Sequence, residues 1–328
     1  MDEQGYEIEI DDTREYRTSF EFAPITEDSY NHILWPKGHP LEGQPMKLRD
    51  YQPEIINRFF ENPQSVQEVA TGAGKTVITA ALSDAVSAYG RSIVIVPNKS
   101  LVTQTYKDYV NMGLDVGVFF GDEKEFGRQH TICTWQSLNV LLKNTKNAEA
   151  DITIQEFLED VVCVIVDEVH MAKADALKTL LTGVMAHIPI RWGLTGTIPK
   201  EEYEFMSLRC AIGEVVGSLK AATLQEAGHL AQCHVNVVQL VDHSEYNNYQ
   251  SELKYLLENS GRLDYISKLV ESIRESGNTL ILVDRVAAGR ELETRIKDAV
   301  FISGATKATD RQDEYLSLIH ISEPTRRY

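Results

Sequence analysis

Lys75 and Thr76, at the end of Glu68-Val69-Ala70-Thr71-Gly72-Ala73-Gly74-Lys75-Thr76, have the types and spacing needed to hold a phosphate. Gly72 and Gly74 allow a tight turn, so that the amides of the loop Thr71-Gly72-Ala73-Gly74 converge on an anion at a helix N-terminus. The Lys75 ammonium would reach the β and γ phosphates of a nucleotide, and the Thr76 hydroxyl would hold Mg2+. In the general pattern G-x-x-x-x-G-K-[ST] the first glycine falls at Val69, a departure from that pattern. A second group with chemical capacity is Asp167-Glu168, which follows the most apolar run of the chain, Val161 to Val166. One carboxylate there can bind the Mg2+ that bridges phosphates, and its neighbour can polarise an attacking water. An acidic pair at a strand end is commonplace alone; with the loop upstream the two form one device for binding and hydrolysis.

These residues need elements to place them. A short apolar run, Val66 to Val69 broken by Gln67 and Glu68, precedes the loop, and after it Val77, Ala80, Ala81, Ala85 and Ala88 share one face of a helix. Upstream, Asp50 is read as the N-cap of a helix that turns Ile55, Ile56 and Phe59 or Phe60 inward. Ser92–Val96, Gly117–Phe120, His130–Thr134, Val161–Val166 and Ile190–Leu194 read as strands, the first ended by Pro97. Between them Ser100 is read as the cap of a helix carrying Leu101, Val102, Tyr106 and Val110; helices are also expected near Ile154–Leu158 and over Ala174–Met185. Strand and helix alternate, which makes an α/β domain with a central, mostly parallel sheet and its functional residues at the strand ends. From about Gln232 the pattern restarts: strands over Val235–Val241, Asn278–Val283 and Ala299–Ile302, a helical region from Ser244 to Ser276, and a helix over Ala287–Ile296. Before Met46 the only expected element is a short strand over Phe20–Phe22, followed by a linker rich in Pro and Gly.

The chain has 328 residues, enough for two domains, and its 43% apolar and 25% charged residues are those of a globular protein. No apolar run approaches a membrane span, and the acidic start lacks the basic and apolar regions of a signal peptide, so the expected compartment is the cytoplasm. Cys133, Cys163, Cys210 and Cys233 stand far apart, which argues against zinc and disulfides. The net charge of -17 taken alone disfavours a nucleic-acid partner, but residues 1–30 contribute -8 of it, leaving -9 for the rest. The acidity is concentrated in one arm, and a locally basic groove elsewhere is compatible with the total.

In order, ATGAGKT at 70–76, DEVH at 167–170 and LTGT at 194–197 resemble motifs I, II and III of superfamily 2 helicases. LRDYQ at 48–52 resembles the adenine-reading segment before motif I, while VPNKSLVTQ at 96–104 and TWQSL at 134–138 resemble the strand-contacting motifs between I and II. In general appearance the chain is similar to phage DNA repair and recombination helicases of the UvsW kind and, behind them, to the motor subunits of restriction enzymes. In this superfamily motif I has the form A-x-G-x-G-K-T, so Val69 is no anomaly. The resemblance implies a RecA-like parallel sheet domain with a phosphate loop over residues 46–231, a partial second RecA-like domain over 232–315, and an accessory arm over 1–45.

The same resemblance implies ATP and Mg2+ as cofactors and DNA as partner, with recombination or repair proteins as further partners. It places the adenine on Gln52 beside Tyr51, the phosphates on Thr71, Gly72, Ala73, Gly74 and Lys75, and the metal on Thr76 and Asp167. Glu168 takes the catalytic base role, and His170, Thr195 and Thr197 couple the nucleotide to the nucleic-acid site. For Tyr51 and Gln52 an ordinary exposed helix start fits equally, and for His170 a satisfied loop histidine is the alternative. By position Asn98, Lys99, Thr134 and Gln136 are the candidate nucleic-acid contacts, since a motor must grip the backbone of any sequence. Trp135 can stack or simply pack. Rival readings are a restriction-type motor subunit and a nucleotide-binding fragment without turnover.

One departure from the family is expected at the C-terminal end. No Q-x-x-G-R-x-x-R pattern of motif VI, and nothing similar to motif V, occurs in the chain. Residues 316–326, LSLIHISEPTR, resemble the translated read-through of a sequencing adapter, so 316–328 are read as foreign to the protein. On that reading the chain is expected to bind ATP-Mg2+ weakly at best and turn it over poorly, and its second sheet is unfinished, with an open edge that invites aggregation.

Overall fold

In the computed structural model, residues 20–149, 151–170, 175–239, 241, 243–274 and 277–306 are described. The chain divides into two compact units, Met1–His234 and Val235–Tyr328. The first is built on eight strands: β1 Gln64–Val69, β2 Arg91–Val96, β3 Val116–Phe120, β4 Glu123–Lys124, β5 His130–Thr134, β6 Val161–Asp167, β7 Ile190–Thr195 and β8 Glu214–Leu219. Their order across the sheet is β4-β3-β5-β2-β6-β7-β1-β8. Every pairing is parallel except β3 with β4. The C-terminal ends of seven strands therefore lie along one edge. This is the α/β RecA-like fold with a mostly parallel sheet.

Parallel strands need crossovers, and helices supply them. The helices of this unit are α1 Gln52–Glu61, α2 Lys75–Val86, α3 Lys99–Asn111, α4 Trp135–Lys146, α5 Ile154–Phe157, α6 Asp175–Thr182, α7 Glu202–Ala211 and α8 Ala221–Glu226. They sandwich the sheet between two apolar layers. One packs α1, α2 and α3 through Ile56, Phe59, Ile78, Leu82 and Tyr109, and the other packs α4 to α7 through Leu138, Phe157, Leu180 and Leu208. Because both faces are covered, β2 and β6 bury almost every residue, which is why they read as unbroken apolar runs. Residues 20–48 join the first layer: Tyr30, Met46 and Leu48 are buried, and the Phe22 ring stacks on Phe60 at 4.5 Å.

Local physics corrects several expectations. Phe20–Phe22 forms no strand; its rings pack against Tyr89, Phe60 and Trp192. Asp50 does not cap α1: it accepts from the Tyr51 amide, and Tyr51, already helical in its dihedrals, occupies the N-cap. Asn98, not Ser100, caps α3, its Oδ1 accepting from Leu101 N at 3.0 Å, and Val110 is exposed. On α2 the buried face runs through Ile78, Ala81, Leu82 and Val86 with Thr79 and Ser83, while Ala85 is half-buried and Ala88 is exposed beyond the helix.

The second unit is helical among its described residues: α9 Tyr249–Glu258, α10 Ser260–Ile273 and α11 Val286–Arg295. The single helical region expected over 244–276 is two helices, split at Asn259, whose side chain caps α10 by accepting from Arg262 N at 3.1 Å. None of the three expected strands forms among the described residues. Ile281 and Val283 still turn toward the small core of Leu263, Ala288, Leu292 and Ile296, while Leu280 and Leu282 face out. The side chains alternate as in a strand, but the segment has no ladder of neighbours.

Candidate functional site

The loop after β1 takes its shape from glycine. Gly72 and Gly74 have φ of 85° and 78°, in the left-handed region that a side chain strains. Gly74 is also the N-cap of α2, and the helix's first internal bonds, from Val77 N and Ile78 N, both end on Gly74 O. The amides of Lys75 and Thr76 thus lead the helix, where partial positive charge favours an anion. A Cβ on Gly74 would lie 2.6 Å from Gln52 Nε2, so the glycine also makes room for its neighbour.

Gln52 is buried and ties the loop to α1. Its Nε2 donates to Ala73 O at 3.1 Å and its Oε1 accepts from Arg49 N at 2.9 Å. Tyr51 donates through its hydroxyl to Ala73 O at 3.2 Å. Arg49 donates to Gly72 O at 3.0 Å and to the Tyr51 hydroxyl at 2.8 Å. The carbonyls of Gly72 and Ala73 are therefore held by donors from one short segment. Thr71 is exposed and lies against the turn after β7, where a Cβ on Gly196 would sit 3.3 Å from Thr71 Oγ1.

Two strands away in the sheet, β6 delivers Asp167 and Glu168. Glu168 has φ of 52°, a left-handed conformation uncommon for a residue with a side chain, and its amide donates to Asp167 Oδ1 at 2.9 Å. The Lys75 ammonium donates to Glu168 Oε1 and stands 3.7 Å from Asp167 Oδ1. Burial raises the Asp167 pKa, with Lys75 opposing the shift and Glu168 adding to it. His170 Nδ1 lies 3.3 Å from Glu168 Oε2 and 2.8 Å from Thr195 Oγ1. Thr195 Oγ1 donates to Thr197 O at 2.9 Å and accepts from Thr197 N at 3.1 Å. With that hydrogen on Thr197 O, the hydroxyl can accept from a protonated His170 Nδ1. A path of polar contacts runs from Lys75 through Glu168 and His170 to Thr195 and Thr197.

The donor set suits a nucleotide with Mg2+. Carboxylate and hydroxyl oxygens match a hard cation, and an ammonium beside helix amides matches phosphate. Among the described residues no cluster of three or more His, Cys, Asp or Glu could hold a metal alone. An ion at Thr76 and Asp167 would take its remaining ligands from water and phosphate, as Mg2+ commonly does.

The four other candidates gather at the ends of the adjacent strands β2 and β5. Asn98 and Lys99 are exposed, although Asn98 spends its carbonyl on the α3 cap. Gln136 is exposed, and its Nε2 donates to Pro97 O at 3.4 Å, which links the two strand ends. Thr134 is buried; its Oγ1 caps α4, accepting from Ser137 N at 3.4 Å. Trp135 packs partly buried against the second apolar layer. Arg49 was missed as a site residue: its basic type is visible inside LRDYQ, but its grip on a carbonyl 23 residues away is not.

The sequence model of the family described as "Type III restriction enzyme, res subunit" matches residues 45–200. The "Putative DNA 3'-5' helicase Rad25" of Halobacterium salinarum is 24% identical, over 96% of this chain and 53% of its own length. The "ATP-dependent DNA helicase uvsW" of Enterobacteria phage T4 is 22% identical, over 80% of this chain and 54% of its own. The chain thus spans about half the length of these curated relatives. Among solved structures, the UvsW helicase from bacteriophage T4 superposes with a TM-score of 0.51 at 18% identity, covering 66% of this chain and 74% of that one. That likeness shows the fold. No helix among the described residues is long and apolar enough to cross a membrane.

Proposed function

We propose that this chain, which belongs to superfamily 2 of the helicases, forms the first motor domain and part of the second of an ATP-dependent DNA helicase or translocase of the repair and recombination type. The observation that carries the reading is the path from Lys75 through Glu168 and His170 to Thr195 and Thr197. It joins a phosphate-holding residue, a candidate base and the turn after β7, so a change at the phosphates has a physical route away from them. On this reading Lys75 exchanges its carboxylate partners for the β and γ phosphates, and Thr76 and Asp167 hold Mg2+. The metal supplies charge neutralisation across the phosphate oxygens. Glu168, freed from Lys75, orients and deprotonates the attacking water, and His170 passes its displacement to Thr195. Asn98, Lys99 and Gln136 line the DNA-facing ends of β2 and β5, with the phosphate backbone as their target, while the buried Thr134 holds the start of α4 behind them.

The test is DNA-stimulated ATP hydrolysis by a full-length protein containing this chain, compared with its Lys75→Ala variant. Loss of turnover by at least a hundredfold is expected, in line with the weight of such charges in phosphoryl transfer. Unchanged turnover would refute the mechanism. ATP binding with no hydrolysis under any DNA condition would instead favour a binding module.

The family match over residues 45–200 favours a second reading, a motor subunit of a restriction-type enzyme. On this reading the motor would move along duplex without separating it. Displacing a triplex-forming strand from linear DNA, with no unwinding or regression of a fork, would select it.

A further inference from the structure

The residues around the nucleotide loop include two that lie far downstream in the chain. Beyond α8, which ends at Glu226 with Ala227 as its C-cap, Gly228 has φ of 76° and lets the chain fold back, and His229 N and Leu230 N both donate to Leu224 O, at 2.8 and 3.1 Å. Leu224 is buried, and Gln225 Nε2 donates to Ala231 O at 3.0 Å, so the turn is fixed from both sides. It presents two side chains to the site. Leu230 rests on the apex of the loop, with Cδ2 only 2.7 Å from where a Cβ on Gly72 would lie. His229 Nε2 is 3.1 Å from Asp50 Oδ1, and its ring meets the Tyr51 ring at 5.1 Å and 72°.

We infer that His229 and Leu230 form a wall of the nucleotide site, and that His229 is a specificity-determining residue contacting the base of a purine nucleoside triphosphate. This deepens the ATP reading above and rests on it. Two rings that meet edge to face make a corner, in which a flat base can lie on one face with its edge toward the other. Beside that corner, Gln52 has one N–H and one carbonyl lone pair left after its bonds to Ala73 O and Arg49 N. That pair matches the acceptor and donor on the edge of adenine and mismatches guanine, which offers two acceptors there. Leu230 adds an apolar cover over the loop. His229 is 27% exposed at its side chain, neither closed into the core nor free in water, as a group that receives a ligand should be.

The test is calorimetric titration of the whole chain with the Mg2+ complexes of ATP, GTP and inorganic tripolyphosphate, which has no base. His229→Ala is expected to weaken ATP about tenfold, the order of one aromatic contact, to narrow the ATP over GTP preference, and to leave tripolyphosphate unchanged. His229→Phe, which keeps a ring but loses the Asp50 partner, should recover most of the ATP affinity. An equal loss for ATP and tripolyphosphate would reduce His229 to scaffolding and overturn the inference, as would unchanged ATP affinity in His229→Ala. Wild-type protein that binds tripolyphosphate without preferring ATP also overturns it. Wild-type protein that binds none of the three refutes the ATP reading itself.

Discussion

Glu168 sits in a left-handed backbone conformation, with one carboxylate oxygen on Lys75 and the other beside His170. The same side chain neutralises a cation and faces a proton carrier, as a base needs. Glu168→Gln keeps its size and removes its basicity, so ATP turnover should fall by about 10²–10⁴-fold while ATP binding persists, measured by single-turnover hydrolysis and equilibrium binding. A second residue-scale expectation concerns His130, which is 1% exposed and bonded through its two ring nitrogens to Ser92 and Ser87. Burial lowers its pKa to about 4, with Asp115 opposing. In the unfolded chain it titrates near 6.5, so the unfolded state takes up the extra proton. The stability that neutral His130 contributes is complete above pH ~6.5 and is lost as pH falls toward about 4, on the order of 3 kcal/mol in all. Urea midpoints from pH 7.5 to 4.5 should show the decline, and His130→Asn should flatten that part of it. That Lys75, Asp167, Glu168 and His170 stand together was legible in the sequence by their type and order. Arg49, His229 and Leu230 were not legible there, because their relevance lies in contacts between distant segments that no spacing encodes.

At the scale of elements, α2 shows why an apolar pattern can mislead. Ala85 and Ala88 look like an inward face and Ser83 like an outward one, yet Ser83 is fully buried. Its hydroxyl meets the buried Tyr109 hydroxyl of α3 at 2.8 Å, Thr79 Oγ1 donates to Thr76 O at 2.8 Å, and Ser87 reaches His130. A stripe of hydroxyls at helical spacing is thus satisfied inside the first layer. Tyr109→Phe strands Ser83 and should cost about 1–3 kcal/mol in urea unfolding, while adding Ser83→Ala should cost less than the sum of the two single changes. The central strands were legible because burial on both faces demands continuous apolar runs. The edge strand β8, EVVGSL with only partial burial, carries no such mark. In the second unit, Val235–Val241, Asn278–Val283 and Ala299–Ile302 have strand composition without strand pairing among the described residues. Composition reports which way side chains prefer to face; a strand exists only when a neighbour supplies the ladder.

For the whole molecule, the acidic total of -17 and the proposed DNA-binding edge are compatible only if the positive charge is local. Lys99 stands exposed at the end of β2, where a phosphate contact would release a counterion. Lys99→Ala should weaken DNA binding evenly across sequences and reduce the slope of log affinity against log salt by about one, read from fluorescence anisotropy at several salt concentrations. An unchanged slope would remove Lys99 from the contact surface. The parallel sheet that gathers the strand-end candidates along one edge has a converse. At its opposite edge, the turn from α3 into β3 passes through Gly113, exposed, with φ of 75° and nothing within 4 Å of where a Cβ would be. A biotin-acceptor peptide inserted there would anchor the protein to a glass surface with its working edge toward the solution, a natural mounting point for watching single molecules on tethered DNA.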